Sequence, residues 1–148
     1  MKAAIVYYSK HHGNTRKLLD AIARKSDVVL IDATENPEPD LSGYDLVGLA
    51  SGIYYSKFHK SVLKAAQRLS SGQRVLLIYT CGAKKDGYTK AIREAAAQRG
   101  AKVVGEYGCL GFDTFGPFKL VGGLAKGHPD ADEIAGAVAF FSRAAEQR

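Results

Sequence analysis

Five apolar segments recur along the chain, and each is almost continuously hydrophobic instead of alternating between hydrophobic and polar residues. They are rich in β-branched residues and cover residues 2–8, 27–32, 46–51, 74–80 and 102–109. Strands that are buried on both faces have this pattern, which is typical of a parallel sheet. The pattern therefore predicts five parallel strands.

Helical spacing of hydrophobic residues appears between these segments and after the last one. It predicts helices over residues 15–25, 59–69 and 88–99, and a final helix that carries Ile134, Val138, Phe141 and Ala145 on one stripe. Asp130 and Glu133 have the spacing of a capping box at the start of this final helix. Residues 33–45 contain Pro37 and Pro39, so we expect little or no helix there.

The alternation of strands and helices predicts an α/β fold in which a doubly wound, five-stranded parallel sheet lies between two layers of helices. We expect the strand order 2-1-3-4-5, in a three-layer α/β/α arrangement that forms a single domain over residues 1–148. In this order the topology switches between the first and third strands. Ligands bind beyond the carboxyl ends of the strands at such a point.

The loop after the first predicted strand, residues 9–15, has the composition of an anion site. The first N–H groups of a helix lack partners within the helix, and the helix dipole places partial positive charge there. Side chains in this loop that can donate hydrogen bonds to a phosphate are Ser9, His11, His12, Asn14 and Thr15. Gly13 allows a close approach of the backbone to a ligand. The alternative interpretation is an ordinary polar turn that caps the helix.

Two further loops contain residues that suit a flat heterocyclic ligand. The loop after the third strand includes Ser51, Gly52, Ile53, Tyr54 and Tyr55, and the loop after the fourth strand includes Thr80, Cys81, Gly82 and, farther on, Tyr88. Tyr54 or Tyr55 is the candidate for stacking, because stacking gives a planar ring apolar contact on its face. The amides around Gly82 could bind the polar edge of such a ring. Packing of the tyrosines onto their own loop is the alternative.

A long segment rich in glycine and aromatic residues, residues 111–123, follows the fifth strand. Compact domains rarely keep long structureless loops, so we expect this segment to form the rim of a pocket or a contact in a homodimer. The sequence assigns an activating base to neither cysteine. We therefore expect Cys81 to be a wall of the site and Cys109 to be a thiol of the core.

The loops at residues 8–15, 52–55 and 80–82 resemble the phosphate loop and the two ring-binding loops of the flavodoxin family. The resemblance implies a flavodoxin-like fold and noncovalent FMN. It places the phosphate among Ser9, His12, Gly13, Asn14 and Thr15, and the isoalloxazine beside Tyr54 and Cys81. It also implies that a carbonyl near Gly52 accepts the proton that the flavin gains on reduction. His12 stands where the family loop usually has a second Ser or Thr.

The chain carries a net charge of +6 and has a pI of about 9.3. Its Lys and Arg residues are spread along the sequence, so we expect a basic surface and no nucleic-acid site. The two cysteines form neither a CxxC pair nor a metal-ligand cluster, which favours free thiols in the cytoplasm. The apolar N-terminal segment is too short for a membrane span or an export signal.

Two redox interpretations are compatible with these residues. In the first, the protein is an electron-transfer flavoprotein that docks on redox partner proteins with acidic faces. In the second, it is an FMN-dependent reductase of quinone-like acceptors or resembles the flavodoxin-like protoporphyrinogen oxidases. A third interpretation is a phosphate- or nucleotide-binding module without redox chemistry. It is weaker because Ser51 and Gly52 stand where a receiver domain has its phosphorylatable Asp.

Overall fold

The computed structural model describes residues 1–10, 12–113 and 123–147. In chain order, its elements are β1 (Ala3–Tyr8), α1 (Asn14–Lys25), β2 (Val29–Asp32), β3 (Leu46–Tyr54), β4 (Lys57–Phe58), α2 (Lys60–Ala65), β5 (Arg74–Cys81), α3 (Lys90–Gln98), β6 (Lys102–Leu110) and α4 (Ala131–Glu146). A short 3-10 turn, Ala66–Arg68, continues α2. None of the helices in this described part of the chain is both long and apolar enough to cross a bilayer.

Five of the strands are parallel and stand in the order β2-β1-β3-β5-β6. When the parallel strands alone are counted, this is the predicted order 2-1-3-4-5. Within the register, Ile5 of β1 lies between Leu30 of β2 and Gly48 of β3. The connections that follow β1 and β3 lead to opposite sides of β1, so the loops at their carboxyl ends diverge and leave space for a ligand.

Helices cover both faces of the sheet, as its uninterrupted apolar strands predict. One face packs against α1 and α4, whose buried side chains include Leu18, Leu19, Ile22, Ala137 and Phe141. The opposite face packs against α2 and α3, whose buried side chains include Val62, Ala65, Ile92 and Ala96. This is the predicted three-layer α/β/α arrangement.

The chain after the third strand differs from the prediction. The prediction ended this strand at Ser51 and treated the following residues as a loop, whereas β3 continues to Tyr54 and turns back into the short antiparallel β4. Tyr55 and Ser56 form the two-residue turn, with φ values of 52° and 65°. Turns of this kind normally use Asn and Gly, because a left-handed backbone is sterically unfavourable for other residues. The sequence therefore carries no hairpin signal here.

The helices begin and end close to their predicted positions. The predicted helix over 59–69 is an exception, since α2 ends at Ala65 and the 3-10 turn replaces its last part. Residues 33–45 contain no helix, as predicted. The capping box is confirmed: the Asp130 carboxylate accepts from the N–H of Glu133, and the Glu133 carboxylate accepts from the N–H of Asp130, both at 2.9 Å.

Tyr79 of β5 lies across Gly108 of the neighbouring strand β6. A methyl group added at Gly108 would stand 2.1 Å from Cζ of the tyrosine ring. The same ring contacts those of Phe58 and Tyr88, with centroid distances of 6.1 and 5.9 Å. The glycine therefore makes room for a ring that joins β5 to β4 and to the loop before α3.

Gly108→Ala should lower the free energy of unfolding by about 1 to 3 kcal/mol, because the Tyr79 ring must leave its position to admit the methyl group. Gly43→Ala is the matched control, since a methyl group there meets no atom within 4 Å. Its effect should stay below about 0.5 kcal/mol. Urea denaturation followed by circular dichroism measures both variants. Equal stability of the two would show that the ring is not held against Gly108.

Candidate functional site

Loops at the carboxyl edge of the sheet enclose a crevice. Its lining residues are Ser9, Asn14, Thr15, Gly52, Ile53, Tyr54, Thr80, Cys81, Gly82, Gly111, Phe112 and Asp113. The crevice spans about 350 Å³ when its open mouth is included. It lies where the strand order switches direction, which is the position expected for a ligand in this topology.

The first wall of the crevice is the N-terminus of α1. Gly13 precedes the helix with a φ of 64°, a left-handed conformation that suits glycine. The ladder of helical hydrogen bonds begins with the N–H of Lys17, which donates to the Gly13 carbonyl at 3.0 Å. The N–H groups of Asn14 and Thr15 therefore have no acceptor within the helix. They are available to an anion in the crevice.

Hydroxyl groups extend this set of donors. The Ser9 hydroxyl accepts from the N–H of Arg16 at 2.9 Å, so its own proton can be donated elsewhere. The hydroxyls of Thr15 and Thr80 lie 2.9 Å apart in a buried position. Their mutual hydrogen bond uses one of the two protons, which leaves the other for a ligand. Donors from the first loop and from the end of β5 thus meet at the same crevice.

Asn14 lines the crevice with 5% of its surface exposed. Its Nδ2 donates to the carbonyl of Phe112 at 2.7 Å, whereas its buried Oδ1 accepts no hydrogen bond from the described residues. The amide group cannot be reversed, because two acceptor oxygens would then face each other. A buried acceptor without a donor is unfavourable by about 1 to 3 kcal/mol. The crevice therefore suits a ligand that brings a hydroxyl or N–H group to this atom.

The second wall presents Tyr54, which packs edge-on against two other rings. The rings of Tyr8 and His59 are stacked with a centroid distance of 3.6 Å, and Tyr54 meets them nearly at right angles at 5.5 and 5.3 Å. Burial, and then the charge of Lys60, lowers the pKa of His59. The His59 imidazole is thus uncharged at neutral pH, and the stacked rings of Tyr8 and His59 support the Tyr54 ring.

Two hydrogen bonds of the Ser51 hydroxyl fix the peptide group between Gly52 and Ile53 in this wall. The Ser51 hydroxyl donates to the carbonyl of Gly52 at 2.5 Å and accepts from the N–H of His59 at 3.0 Å. This carbonyl lies where the flavodoxin resemblance implies an acceptor for the proton that the flavin gains on reduction. It already accepts a hydrogen bond from the Ser51 hydroxyl, so a hydrogen bond from a ligand N–H would have to replace that one.

The third wall contains Cys81, which is 5% exposed, and Cys109 is buried in the neighbouring strand. Both cysteines are free. Burial raises the pKa of Cys81 to about 11 and the pKa of Cys109 to about 12. Both thiols are therefore neutral at physiological pH. This agrees with the expected positions of Cys81 in the wall of the site and Cys109 in the core, and it argues against a nucleophilic role for either.

Residues 111–113 form the fourth wall, which we call the β6 wall because it directly follows that strand. The N–H of Gly111 donates to the carbonyl of Cys81 at 2.8 Å, and the N–H of Phe112 donates to the carbonyl of His128 at 2.8 Å. Together with the Asn14 amide, these bonds attach the β6 wall to three separate parts of the chain.

Asp113 is the carboxylate of the β6 wall. Its backbone exchanges two hydrogen bonds with Leu124, at 2.8 and 2.7 Å. Its side chain lies against Gly82, where an added methyl group would stand 2.7 Å from the Asp113 Oδ2. A negative charge is thereby placed beside the loop that was predicted to bind the edge of a ring.

Most of the predicted binding residues line the crevice, and they come from all three predicted loops. The predicted residues that do not line it are His12, Gly13, Ser51, Tyr55 and Tyr88. Gly13 acts through its backbone conformation, and Ser51 is fully buried behind Gly52. His12 is exposed, with its ring 4.4 Å from that of Phe112.

The tyrosines separate into different roles. Tyr54 faces the crevice, whereas Tyr55 occupies the tip of the hairpin turn and is 83% exposed. Tyr54 is the last residue of β3, whereas Tyr55 belongs to the turn and has a left-handed backbone, which explains why the two tyrosines diverge. Tyr88 is buried beneath its loop, and its hydroxyl donates to the carbonyl of Ala83 at 2.6 Å.

His11 and residues 114–122 lie outside the described part of the chain. The predicted phosphate contact of His11 and the predicted rim or homodimer contact of that segment therefore stay predictions. Gly111, Phe112 and Asp113 begin the segment that was predicted to form a pocket rim or a homodimer contact, and these three residues line the crevice. They were not named individually among the predicted binding residues.

The fold and the crevice define a doubly wound α/β protein that has, at its switch point, a helix N-terminus with N–H groups unused within the helix and an aromatic wall. Residues 5–111 match the family model described as the flavodoxin domain. The chain belongs to the flavodoxin family, and its fold is flavodoxin-like.

Similar proteins agree with this assignment. The chain is 38% identical over 146 residues to an uncharacterised protein of Methanocaldococcus jannaschii, and the match covers 95% of both chains. Oxidised flavodoxin 2 from Bacillus cereus is similar in structure, with a TM-score of 0.71 at 20% identity over 99% of each chain. General stress protein 14 from Treponema denticola, solved in complex with FMN, has a TM-score of 0.65 at 11% identity, over 97% of this chain and 99% of that chain.

Both thiols should be almost unreactive in the folded protein. Because the pKa of Cys81 is raised to about 11, only about one thiol in a thousand is ionised near pH 8, compared with roughly a quarter for an ordinary cysteine. We expect alkylation by iodoacetamide to be at least about a hundredfold slower in buffer than in guanidinium chloride. Mass spectrometry of timed samples measures this ratio. A native thiol that reacts at the unfolded rate would contradict its burial.

Proposed function

We propose that this protein binds FMN noncovalently and transfers electrons between redox partners. The observation that carries the proposal is the crevice itself, which combines the free N–H groups of α1 with an aromatic wall. FMN combines a dianionic phosphate with a planar ring, and these two walls match those two parts. Membership of the flavodoxin family and the FMN in the Treponema denticola neighbour support the same ligand.

The residues of the first wall fit a phosphate on a sugar chain. The N–H groups of Asn14 and Thr15 and the hydroxyl of Ser9 would donate to the phosphate oxygens. The buried Oδ1 of Asn14 would accept from a hydroxyl of the ribityl chain. A ligand of this kind would remove the unfavourable burial of that oxygen, because it supplies the missing donor.

The other walls fit the ring. Tyr54 would contact the face of the isoalloxazine, and the backbone around Gly82 would contact its polar edge. When bound, FMN supplies one- and two-electron chemistry that no side chain provides. The protein would orient the ring and shield it from water, and the Gly52 carbonyl would accept a hydrogen bond from an N–H of the reduced ring in place of the one from the Ser51 hydroxyl.

Exposed lysines occur in the segments that adjoin the crevice residues in sequence or are hydrogen-bonded to them, on loops, in β4 and at the start of α2, namely Lys10, Lys57, Lys60, Lys84, Lys85 and Lys126. The acidic residues in the same described segments are Asp86, Asp113 and Asp130. An excess of positive charge at the open edge attracts a negatively charged partner and speeds the encounter at low ionic strength. We therefore infer redox partners with acidic docking faces, and a small quinone-like acceptor is the alternative. The buried free thiols suit a reducing cytoplasm.

Titration with FMN and with riboflavin tests the ligand, with flavin fluorescence as the signal. The wild-type protein should bind FMN more tightly than riboflavin by about tenfold or more, because riboflavin lacks the phosphate. Thr15→Val should weaken FMN binding by about tenfold and leave riboflavin binding nearly unchanged. Thr89→Val, at the start of α3, is the matched control. A wild-type protein that binds neither flavin would overturn the proposal and favour the module without redox chemistry.

Turnover separates the electron carrier from the reductase. A carrier oxidises NADH or NADPH with a quinone very slowly when it is alone, whereas a reductase sustains the reaction. Rapid steady turnover by the purified FMN-loaded protein would therefore replace the carrier proposal with the reductase alternative.

Replacing Lys84 and Lys85 by Glu should reverse the preference of the reduced protein for charged electron acceptors. Oxidation by the anion ferricyanide should slow by about threefold or more at low salt, and oxidation by the cation hexaamminecobalt(III) should accelerate, because the local field changes sign. Stopped-flow absorbance measures both rates. Lys64→Glu with Lys102→Glu makes the same change in charge away from the crevice. Equal effects of the two double variants would show that net charge matters and the position of the lysines does not.

A further inference from the structure

A chain of contacts joins the start of α4 to the first residue of α1. Glu133 Oε1 lies 2.5 Å from Nδ1 of His128, and its Oε2 accepts from the N–H of Leu110 at 3.1 Å. The carbonyl of His128 accepts from the N–H of Phe112 at 2.8 Å. The carbonyl of Phe112 in turn accepts from Nδ2 of Asn14 at 2.7 Å. Glu133 is therefore connected to the crevice although it does not line it.

The imidazole of His128 is the titratable link in this chain. The charged groups that face it are the carboxylates of Glu133 and Asp130, the latter 3.8 Å from Nδ1. The end of β6 contributes the uncharged Leu110 and Gly111. The hydrogen bond to Glu133 raises the pKa of His128. Burial acts to raise the pKa of Glu133, but hydrogen bonds from the N–H of Asp130, from His128 and from the N–H of Leu110 outweigh it, and the pKa is lowered.

The contact of His128 with Glu133 is separable from the cap of α4. The two capping hydrogen bonds run between Asp130 and Glu133 and do not include the imidazole. Replacing His128 therefore leaves the helix start intact. The replacement removes the contact of the His128 side chain with Glu133. It thereby loosens the segment whose His128 carbonyl holds the N–H of Phe112 in the β6 wall.

We propose that the ion pair of His128 with Glu133 is a positioning element that holds Phe112 against Asn14 and so completes the phosphate end of the crevice. For its ligand, this inference rests on the proposed binding of FMN. Because the pKa of His128 is raised on folding, the pair is fully present below the unfolded pKa of about 6.5 and is lost as pH rises through the folded value. Affinity for the phosphate then falls with the loss of the pair.

The contacts themselves are tested without a ligand. In NMR spectra of the isotope-labelled apoprotein, the side-chain amide of Asn14 and the N–H of Phe112 should shift with the same midpoint as the His128 ring. His128→Gln should abolish that midpoint in both signals. Asn14 and Phe112 signals that do not follow the His128 titration would overturn the inference.

FMN affinity provides the functional test. Above about pH 7 the phosphate of FMN is already a dianion, since its second pKa is near 6. The dissociation constant of FMN should rise by about three- to tenfold as His128 loses its proton, a coupling of ordinary size. The dissociation constant of riboflavin should follow the same titration to a smaller extent, because riboflavin has the ribityl hydroxyls that Asn14 would contact but lacks the phosphate. His128→Gln and Glu133→Gln should remove the pH dependence, whereas Asp132→Asn, in the same turn of α4, should keep it.

The pKa of His128 measured with and without FMN provides a second test, because this pKa would not depend on FMN if the contact with Glu133 were only structural. Bound FMN should raise the pKa of His128 by the same factor by which its protonation raises FMN affinity. FMN binding with an affinity that is independent of pH would overturn the inference and leave the proposed function standing. If the wild-type protein binds neither flavin, the proposed function fails, and the apoprotein titration alone decides the inference.

Discussion

A parallel sheet that is buried on both faces confines polar chemistry to the ends of its strands. Within β1, β3 and β5, side chains such as Ile5, Leu49 and Leu77 are fully buried, because helices cover the sheet from both sides. The backbone N–H and carbonyl groups are used by neighbouring strands. Free donors therefore appear where the strands stop, and in this topology they stop together at the switch point. The fold therefore determines the position of the crevice, whichever ligand binds there.

The end of the crevice at the N-terminus of α1 depends on residues that are far apart in the chain. Asn14 and Phe112 are separated by 98 positions and share one hydrogen bond. The approach is close, since a methyl group added at Gly111 would stand 2.8 Å from Nδ2 of Asn14. That hydrogen bond fixes which way the Asn14 amide points and leaves its buried oxygen without a donor among the described residues. The loop after β1 supplies the N–H donors at the start of α1, but the β6 wall orients the acceptor, which is the side-chain oxygen of Asn14.

The repeated apolar segments were sufficient to predict the parallel sheet, its order and the helices, because burial on both faces leaves a strong signal in each strand. The hairpin after β3 could not be predicted, because Tyr55 and Ser56 adopt a left-handed turn without Gly or Asn. Nor could the sequence separate Tyr54 from Tyr55. The two are adjacent and identical, and only the point at which β3 ends determines which of them faces the crevice. The β6 wall depends on long-range contacts that local patterns do not encode.

The positive charges and the carboxylate of Asp113 act at different ranges. The lysines on the surrounding loops are exposed, so mobile ions screen each charge over about 8 to 10 Å. Their sum acts on an approaching partner, where many charges add. Asp113 lines the crevice, where water is partly excluded and a charge would interact more strongly with a bound ligand. For the proposed redox function, the net charge of +6 would therefore bear on the choice of partner, and Asp113 would oppose negative charge on the ligand itself.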